Sequence, residues 1–245
     1  MGDRTPTEGL TPRSGTFLPL LVALLSVLVL IPFTHDRPLI SSLLVSTVLA
    51  TGVLAMHRSP LHRGAMTIAV LLLLAFRWWA HVYADEHSRL LVAAHLAIGG
   101  YLCLLTAMCV AVVLRRPRVT HDAVLGALCG YLLIAFMFAF FCAALEDALP
   151  GSFLSSVALP EYEGARIGSG TPQLLYYSFV VLTSVGFGDI IPANPYARSL
   201  AMLEMLSGQF YLAAFVARLV GLMGSQKAED GGSASERNNQ PGEDA

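Results

Sequence analysis

The residues in this chain whose types and spacing are most suited to chemistry lie between Thr171 and Asp189. The stretch opens with Thr171-Pro172, continues through an apolar and aromatic run from Gln173 to Leu182, and ends in Thr183-Ser184-Val185-Gly186-Phe187-Gly188-Asp189. Thr171 can cap the free N–H groups of a helix start, and Pro172 has no N–H to leave unsatisfied, so a short helix is predicted until Gly186 and Gly188 break it. Glycine adopts positive φ at little cost, so glycines at alternate positions let successive carbonyl oxygens aim at one axis. A ring of such oxygens can replace the water shell of a bare cation. The chemistry implied is coordination by main chain.

The elements around this segment are apolar. Of 245 residues, 55% are hydrophobic and 13% charged, a mixture outside that of ordinary soluble domains. The apolar residues fall in runs of about 18 to 25, the length needed to cross roughly 30 Å of hydrocarbon as a helix. Six spans are predicted, over residues 17 to 34, 39 to 56, 64 to 83, 90 to 114, 122 to 145 and 196 to 222. Residues 172 to 183 are too few to span, so they are read as a half-helix dipping into the membrane, followed by an irregular return strand. Non-helical backbone at that depth is tolerated only where it is buried in protein or lines a water-filled path.

Arg4 and Arg13 precede the first apolar run, as in a secretory signal. That run is long, ends at Ile31-Pro32-Phe33 and lacks a small-residue cleavage site, so it is expected to remain as a helix. Cys103, Cys109, Cys129 and Cys142 all fall in predicted spans and form no C-x-x-C pair, which predicts buried free thiols. Cytoplasmic loops collect Lys and Arg, which places Arg58, Arg63, Arg115, Arg116 and Arg118 inside. The alternate connections carry Asp85 and Glu86, then Glu146, Asp147, Glu161 and Glu163, and should face outward. Both termini are then cytoplasmic. Trp78, Trp79 and Tyr83 fit an interfacial aromatic belt, with a ligand-binding cluster as the alternative.

The hexapeptide Ser184-Val185-Gly186-Phe187-Gly188-Asp189 resembles the selectivity-filter signature T-V-G-[YF]-G-D of the tetrameric potassium channels. Tyr176-Tyr177 stands where that family often has a Trp pair, and Ile190-Ile191-Pro192 is similar to the usual exit from the filter. Leu203-Glu204-Met205-Leu206-Ser207-Gly208 resembles an inner helix with its hinge glycine. The resemblance covers roughly residues 120 to 223, a little under half of the chain. It implies that the carbonyls of Ser184, Val185, Gly186 and Phe187, in a filter running through Gly188, coordinate dehydrated K⁺, and that the Ser184 hydroxyl supplies the innermost ligands. It implies that Val185 and Phe187 pack behind the filter, that Asp189 sits at its outer mouth, and that Tyr177 hydrogen-bonds this carboxylate. It further implies that the pore-helix carbonyls near Leu182 and Thr183 favour a cation in the cavity, and that four copies close the ring.

Two departures from the family pattern stand out. Ser184 replaces the usual Thr and loses the methyl that helps fix the rotamer, so a looser innermost site is expected. Phe187 replaces the commoner Tyr and lacks a hydroxyl that could tether the filter.

Glu204 carries a carboxylate at mid-membrane, which costs about 2.5 to 3.5 kcal/mol on insertion scales and should face protein or water. It is read either as a brace behind the pore helix, in reach of Ser178 or Thr183, or as a proton-sensitive gating group. Gly208 is open to two readings, a gating hinge or a close packing contact. Gln209, Leu212, Val216 and Leu219 recur at helical spacing, as a cavity-lining stripe or as plain helix contact. Arg77 reads as a side chain snorkelling to the outer interface, or as part of a proton-sensing group with Asp85, Glu86 and His87. From Leu90 to Leu114 there is no Lys or Arg, only His95, which is read as a satisfied core residue. Weak intrinsic voltage dependence is therefore expected.

After Gly224 the chain turns polar, which predicts a disordered tail. The expectation is an all-α membrane protein of six transmembrane helices plus a re-entrant pore helix and filter loop, assembled as a fourfold ring. Residues 1–118 would form a four-span sensor-like domain, 119–224 the pore domain and 225–245 the cytoplasmic tail. Passive K⁺ flux in the plasma membrane is expected, without cofactor, nucleic acid or covalent chemistry, with membrane lipids and further copies of the chain as partners. Alternatives are a poorly selective cation channel and a non-conducting regulatory subunit. A membrane-embedded enzyme is disfavoured because Glu204, His81 and His95 lie on three different spans.

Overall fold

The structure is a computed structural model that describes residues 17–30, 38–56, 60–83, 89–115, 120–155 and 171–238. The order is α1 (Phe17–Leu30), α2 (Pro38–Met56), α3 (Pro60–Tyr83), α4 (Arg89–Arg115), α5 (His121–Ala148), β1 (Phe153–Ser155), α6 (Thr171–Leu182), β2 (Ile190–Pro192) and α7 (Pro195–Asn238). Each predicted span corresponds to a helix. Among the described residues, α4 from Arg89 to Leu114, α5, and α7 from Pro195 to Arg218 are long and apolar enough to cross a membrane. The 14 residues of α1 reach about 21 Å, short of the hydrocarbon thickness.

α5 is the central element. Thr120 caps it, with extended φ and ψ and a side-chain oxygen that accepts from the Ala123 N–H. α4 packs along it, α1 and α6 lie against it, and α7 crosses it. Leu20, Leu24, Leu49, Ile98, Leu133 and Phe140 are buried at the centre of one apolar cluster joining α1, α2, α4 and α5. A second, smaller cluster of Cys142, Phe153, Leu174, Tyr177 and Ala197 ties α5 to β1, α6 and α7.

The polar residues inside the bundle find partners that one-dimensional spacing hides. His95 Nδ1 lies 2.7 Å from Asp147 Oδ2, joining α4 to α5 in a buried contact. His95 is thus the satisfied core residue its solitary position suggested. The Arg77 guanidinium sits 5.5 Å above the Phe140 ring, turned toward protein and away from the interface its snorkelling reading required. The negative face of the ring attracts the cation where water is scarce. Trp78 and Trp79 are exposed, as an aromatic belt requires, while the Tyr83 and His81 side chains and residues 84–88 lie outside the described residues. Cys109, Cys129 and Cys142 are buried free thiols, but Cys103 is exposed because its face of α4 turns away from α5.

Two further features depart from the sequence reading. β1 and β2 pair antiparallel, Phe153 opposite Pro192 and Ser155 opposite Ile190, so a small ribbon interrupts an otherwise helical chain. α7 continues as helix to Asn238, where a disordered tail was expected from Gly224. Extending an existing helix needs no new nucleus, and Gln226, Lys227, Ala228 and Glu229 are good helix formers. Residues 239–245 lie outside the described residues.

The ribbon is anchored by Glu146, near the end of α5. Its two carboxylate oxygens accept from the Gly151 N–H at 2.7 Å and the Phe153 N–H at 3.0 Å. Truncating Glu146→Ala leaves both amides unpaired, a loss of about 1.5–3 kcal/mol for hydrogen bonds to a charged group. Thermal unfolding of the purified protein in detergent should show the midpoint lowered by roughly 5 °C, and an unchanged midpoint would mean that the carboxylate does not hold this turn.

Candidate functional site

The short predicted helix is present as α6, although the Thr171 side chain lies outside the described residues. Its C-terminus explains the geometry that follows. The Ser184 N–H donates to the Val181 carbonyl at 2.9 Å and the Val185 N–H to the Val180 carbonyl at 3.1 Å. These two bonds make a Schellman termination, in which the residue after the cap adopts the left-handed conformation. That residue is Ser184, with φ of 58°. Glycine usually fills this position, so the sequence carried no obvious sign of it. A β-branched residue there would be a conformational outlier, whereas serine is tolerated.

The left-handed conformation recurs at alternate residues. Gly186 has φ of 59° and Gly188 of 76°, whereas the intervening Val185 and Phe187 are not in the positive-φ region. A side chain placed at either glycine would meet nothing within 4 Å, so conformation and not crowding selects glycine. Such an alternation lets successive carbonyl oxygens share one side of the strand. Among the described residues no three His, Cys, Asp or Glu side chains come together to hold a metal ion.

Both ends of the strand are fastened. At the N-terminal end Thr183 Oγ1 donates to the Phe179 carbonyl at 2.7 Å, and Gln209 Nε2 on α7 donates to Ser184 Oγ at 3.0 Å. A Cβ at Gly208 would fall 2.7 Å from the Leu182 carbonyl oxygen, so α7 packs directly on the end of α6. This close approach favours the packing reading of Gly208. At the C-terminal end Asp189 Oδ1 accepts from the Ile190 N–H at 3.0 Å, and the chain enters the ribbon. Asn194 then caps α7 by accepting from the Ala197 N–H at 2.8 Å, with Pro195 in the first turn.

The partner of Asp189 is Tyr176 and not Tyr177: the Tyr176 hydroxyl donates to Asp189 Oδ2 at 2.7 Å. Adjacent helical residues point about 100° apart, and here the faces are divided. Tyr177 turns into the cluster behind α6, its ring 5.1 Å from that of Phe153, and its hydroxyl is buried without a hydrogen-bond partner. Glu204 is fully buried in the same region, beside Ser178. Ser178 is the neighbour that the brace reading named, close enough to interact with the carboxyl group, although neither Glu204 oxygen makes a well-formed hydrogen bond. Val185 and Phe187 are 55% and 69% exposed, so within one chain nothing packs over them as the filter reading requires. Gln209, Leu212 and Val216 are exposed along α7, and the Leu219 side chain lies outside the described residues.

A family model described as an ion channel matches residues 128–224, from the middle of α5 through α6 and the glycine strand into α7. No curated protein matches the chain. Residues 128–224 are thus similar to an ion-channel domain, and the match points to a channel rather than an enzyme. Together with three helices among the described residues that are long and apolar enough to cross a membrane, this points to a membrane protein.

The two tyrosines separate by mutation. Tyr176→Phe removes the bond to Asp189 and should lower the unfolding midpoint by a few degrees, for a loss of about 1 kcal/mol. Tyr177→Phe removes a hydroxyl that has no partner and should leave the midpoint unchanged or raise it. Donation to Asp189 raises the Tyr176 hydroxyl above its ordinary value. The bond is therefore complete through neutral pH and is lost as pH rises past the usual tyrosine range. Equal effects of the two substitutions would contradict this division of roles.

Proposed function

We propose that this chain is one subunit of a potassium-selective channel, in which four copies surround an axis and conduct K⁺ passively through the carbonyls of Ser184, Val185, Gly186 and Phe187. The observation that carries the reading is the alternation of left-handed φ at Ser184, Gly186 and Gly188, directly after a terminated half-helix. An isolated strand of this kind holds one side of an ion. Four strands are needed to replace a hydration shell, and a C4 ring supplies them.

The uncovered apolar surface supports assembly. Only 11% of the apolar stretch of α7 is buried within the chain, against 67% of α5, and Met202, Leu203, Leu206 and Phe210 are exposed with Val185 and Phe187. Neighbouring subunits would cover the inner part of this surface and lipid the outer part. In this reading the six predicted spans cross the plasma membrane with both termini cytoplasmic, and Gln209, Leu212 and Val216 line the cavity. Asp189 with Tyr176 forms the outer mouth, and Glu204 supports the filter from behind.

Reconstituted into liposomes, the full chain should pass K⁺ in a barium-sensitive manner, and bi-ionic reversal potentials should favour K⁺ strongly over Na⁺. Native mass spectrometry should find four chains. A reversal potential indifferent to the exchange of K⁺ for Na⁺ would replace this reading with a poorly selective cation channel, and absent flux would favour a non-conducting subunit. Without Lys or Arg between Leu90 and Leu114, conductance should vary only weakly with voltage; a steep curve implying several gating charges per subunit would contradict that.

A further inference from the structure

Ser184 carries two demands that conflict. Its backbone is left-handed, where the β-branched threonine of the family signature would be an outlier, so serine suits the turn. Serine's side chain, lacking the branch, is freer to change rotamer. A hydroxyl that swings between staggered positions is a poor fixed ligand. The structure supplies the missing restraint from another element, since Gln209 Nε2 on α7 donates to Ser184 Oγ at 3.0 Å.

We infer that Gln209 is a positioning residue whose side-chain amide fixes the Ser184 hydroxyl and thereby sets the affinity of the innermost cation site. The inference rests on the channel reading above. A serine hydroxyl has two lone pairs and one proton. The Gln209 N–H occupies one lone pair, and the other remains available to a cation. Gly208 is what keeps Gln209 in reach, because its lack of a side chain lets α7 lie against the Leu182 carbonyl, two residues before Ser184. The sequence placed Gln209 in a generic cavity stripe; the contact gives it a specific task.

Barium is the probe, a divalent cation that a ring of oxygens at the innermost site should hold more strongly than K⁺. The full chain in planar bilayers, with Ba²⁺ added on the cytoplasmic side of a steady K⁺ current, reads the affinity of that site. Gln209→Met keeps the length of the side chain and removes the donor. It should weaken barium block about fivefold or more while K⁺ current persists, the factor expected for loss of one ordinary hydrogen bond. Gln209→Asn keeps the amide but withdraws it by one methylene, and should weaken block equally. Ser184→Ala removes the ligand itself, and in that background Gln209→Met should add nothing further, the non-additivity expected of residues acting through one contact.

Unchanged block in Gln209→Met overturns the inference, as does an equal further loss in the Ser184→Ala background, which would mean that Gln209 acts directly on the cavity. Failure of the Gln209 variants to assemble as the unsubstituted protein does, checked by native mass spectrometry, would also overturn it by making the residue structural. Absence of K⁺ current from the unsubstituted chain is a different result: it removes the channel reading, and this inference with it.

Discussion

The amide of Val185 reaches back to the carbonyl of Val180, and the amide of Ser184 to that of Val181, so one turn both ends α6 and starts the glycine strand. The two bonds require Ser184 to be left-handed, and that conformation sets the phase of the alternation continued by Gly186 and Gly188. The direction of every following carbonyl depends on it. The turn is held in place by its neighbours: Gly208 lets α7 press on the Leu182 carbonyl, Gln209 ties the Ser184 side chain, and the ribbon fixes the far end. A left-handed φ at a residue that is not glycine, as at Ser184, persists only when its surroundings over-determine it in this way.

Polar groups are distributed unevenly through the bundle. Glu146 and His95 are matched, the first to two backbone amides and the second to Asp147, and both contacts end on α5. Behind α6 the situation reverses. Glu204, Ser178 and the Tyr177 hydroxyl are buried there without a well-formed hydrogen bond. Burying a carboxyl group is costly unless it is paired. Chains specify their structures through consistent local choices, and the places where consistency fails tend to be functional.

The burial of the helices also divides the chain. α5 is enclosed by its own chain, whereas α7 contacts it with little more than the faces around Glu204 and Gly208. In lipid, apolar side chains gain nothing from mere burial, and helix association depends on close packing and hydrogen bonds. The contact between Gly208 and Leu182 and the Tyr211 hydroxyl donated to the Ala127 carbonyl are contacts of that kind. The uncovered side of α7 is continuous in sequence with the element that approaches the glycine strand, and in the channel reading it is where one copy meets the next.

Much of this was legible in the residues alone, because the signals are local. A run of apolar residues needs internal hydrogen bonds wherever water is absent, so the helices followed from composition and length. Two glycines at alternate positions announce unusual backbone, and Pro172 marked the start of the half-helix to within a residue. What depended on how helices face one another was not legible. Whether Tyr176 or Tyr177 meets Asp189, whether Arg77 turns outward or onto Phe140, and which residue pairs with His95 are each decided by rotations about helix axes that spacing leaves undetermined. The left-handed Ser184 and its bond to Gln209 belong to the same class. Local sequence determined that the chain must leave the helix near Gly186, while only packing between α6 and α7 decided where the turn begins and which side chain holds it, because those contacts join residues 25 positions apart.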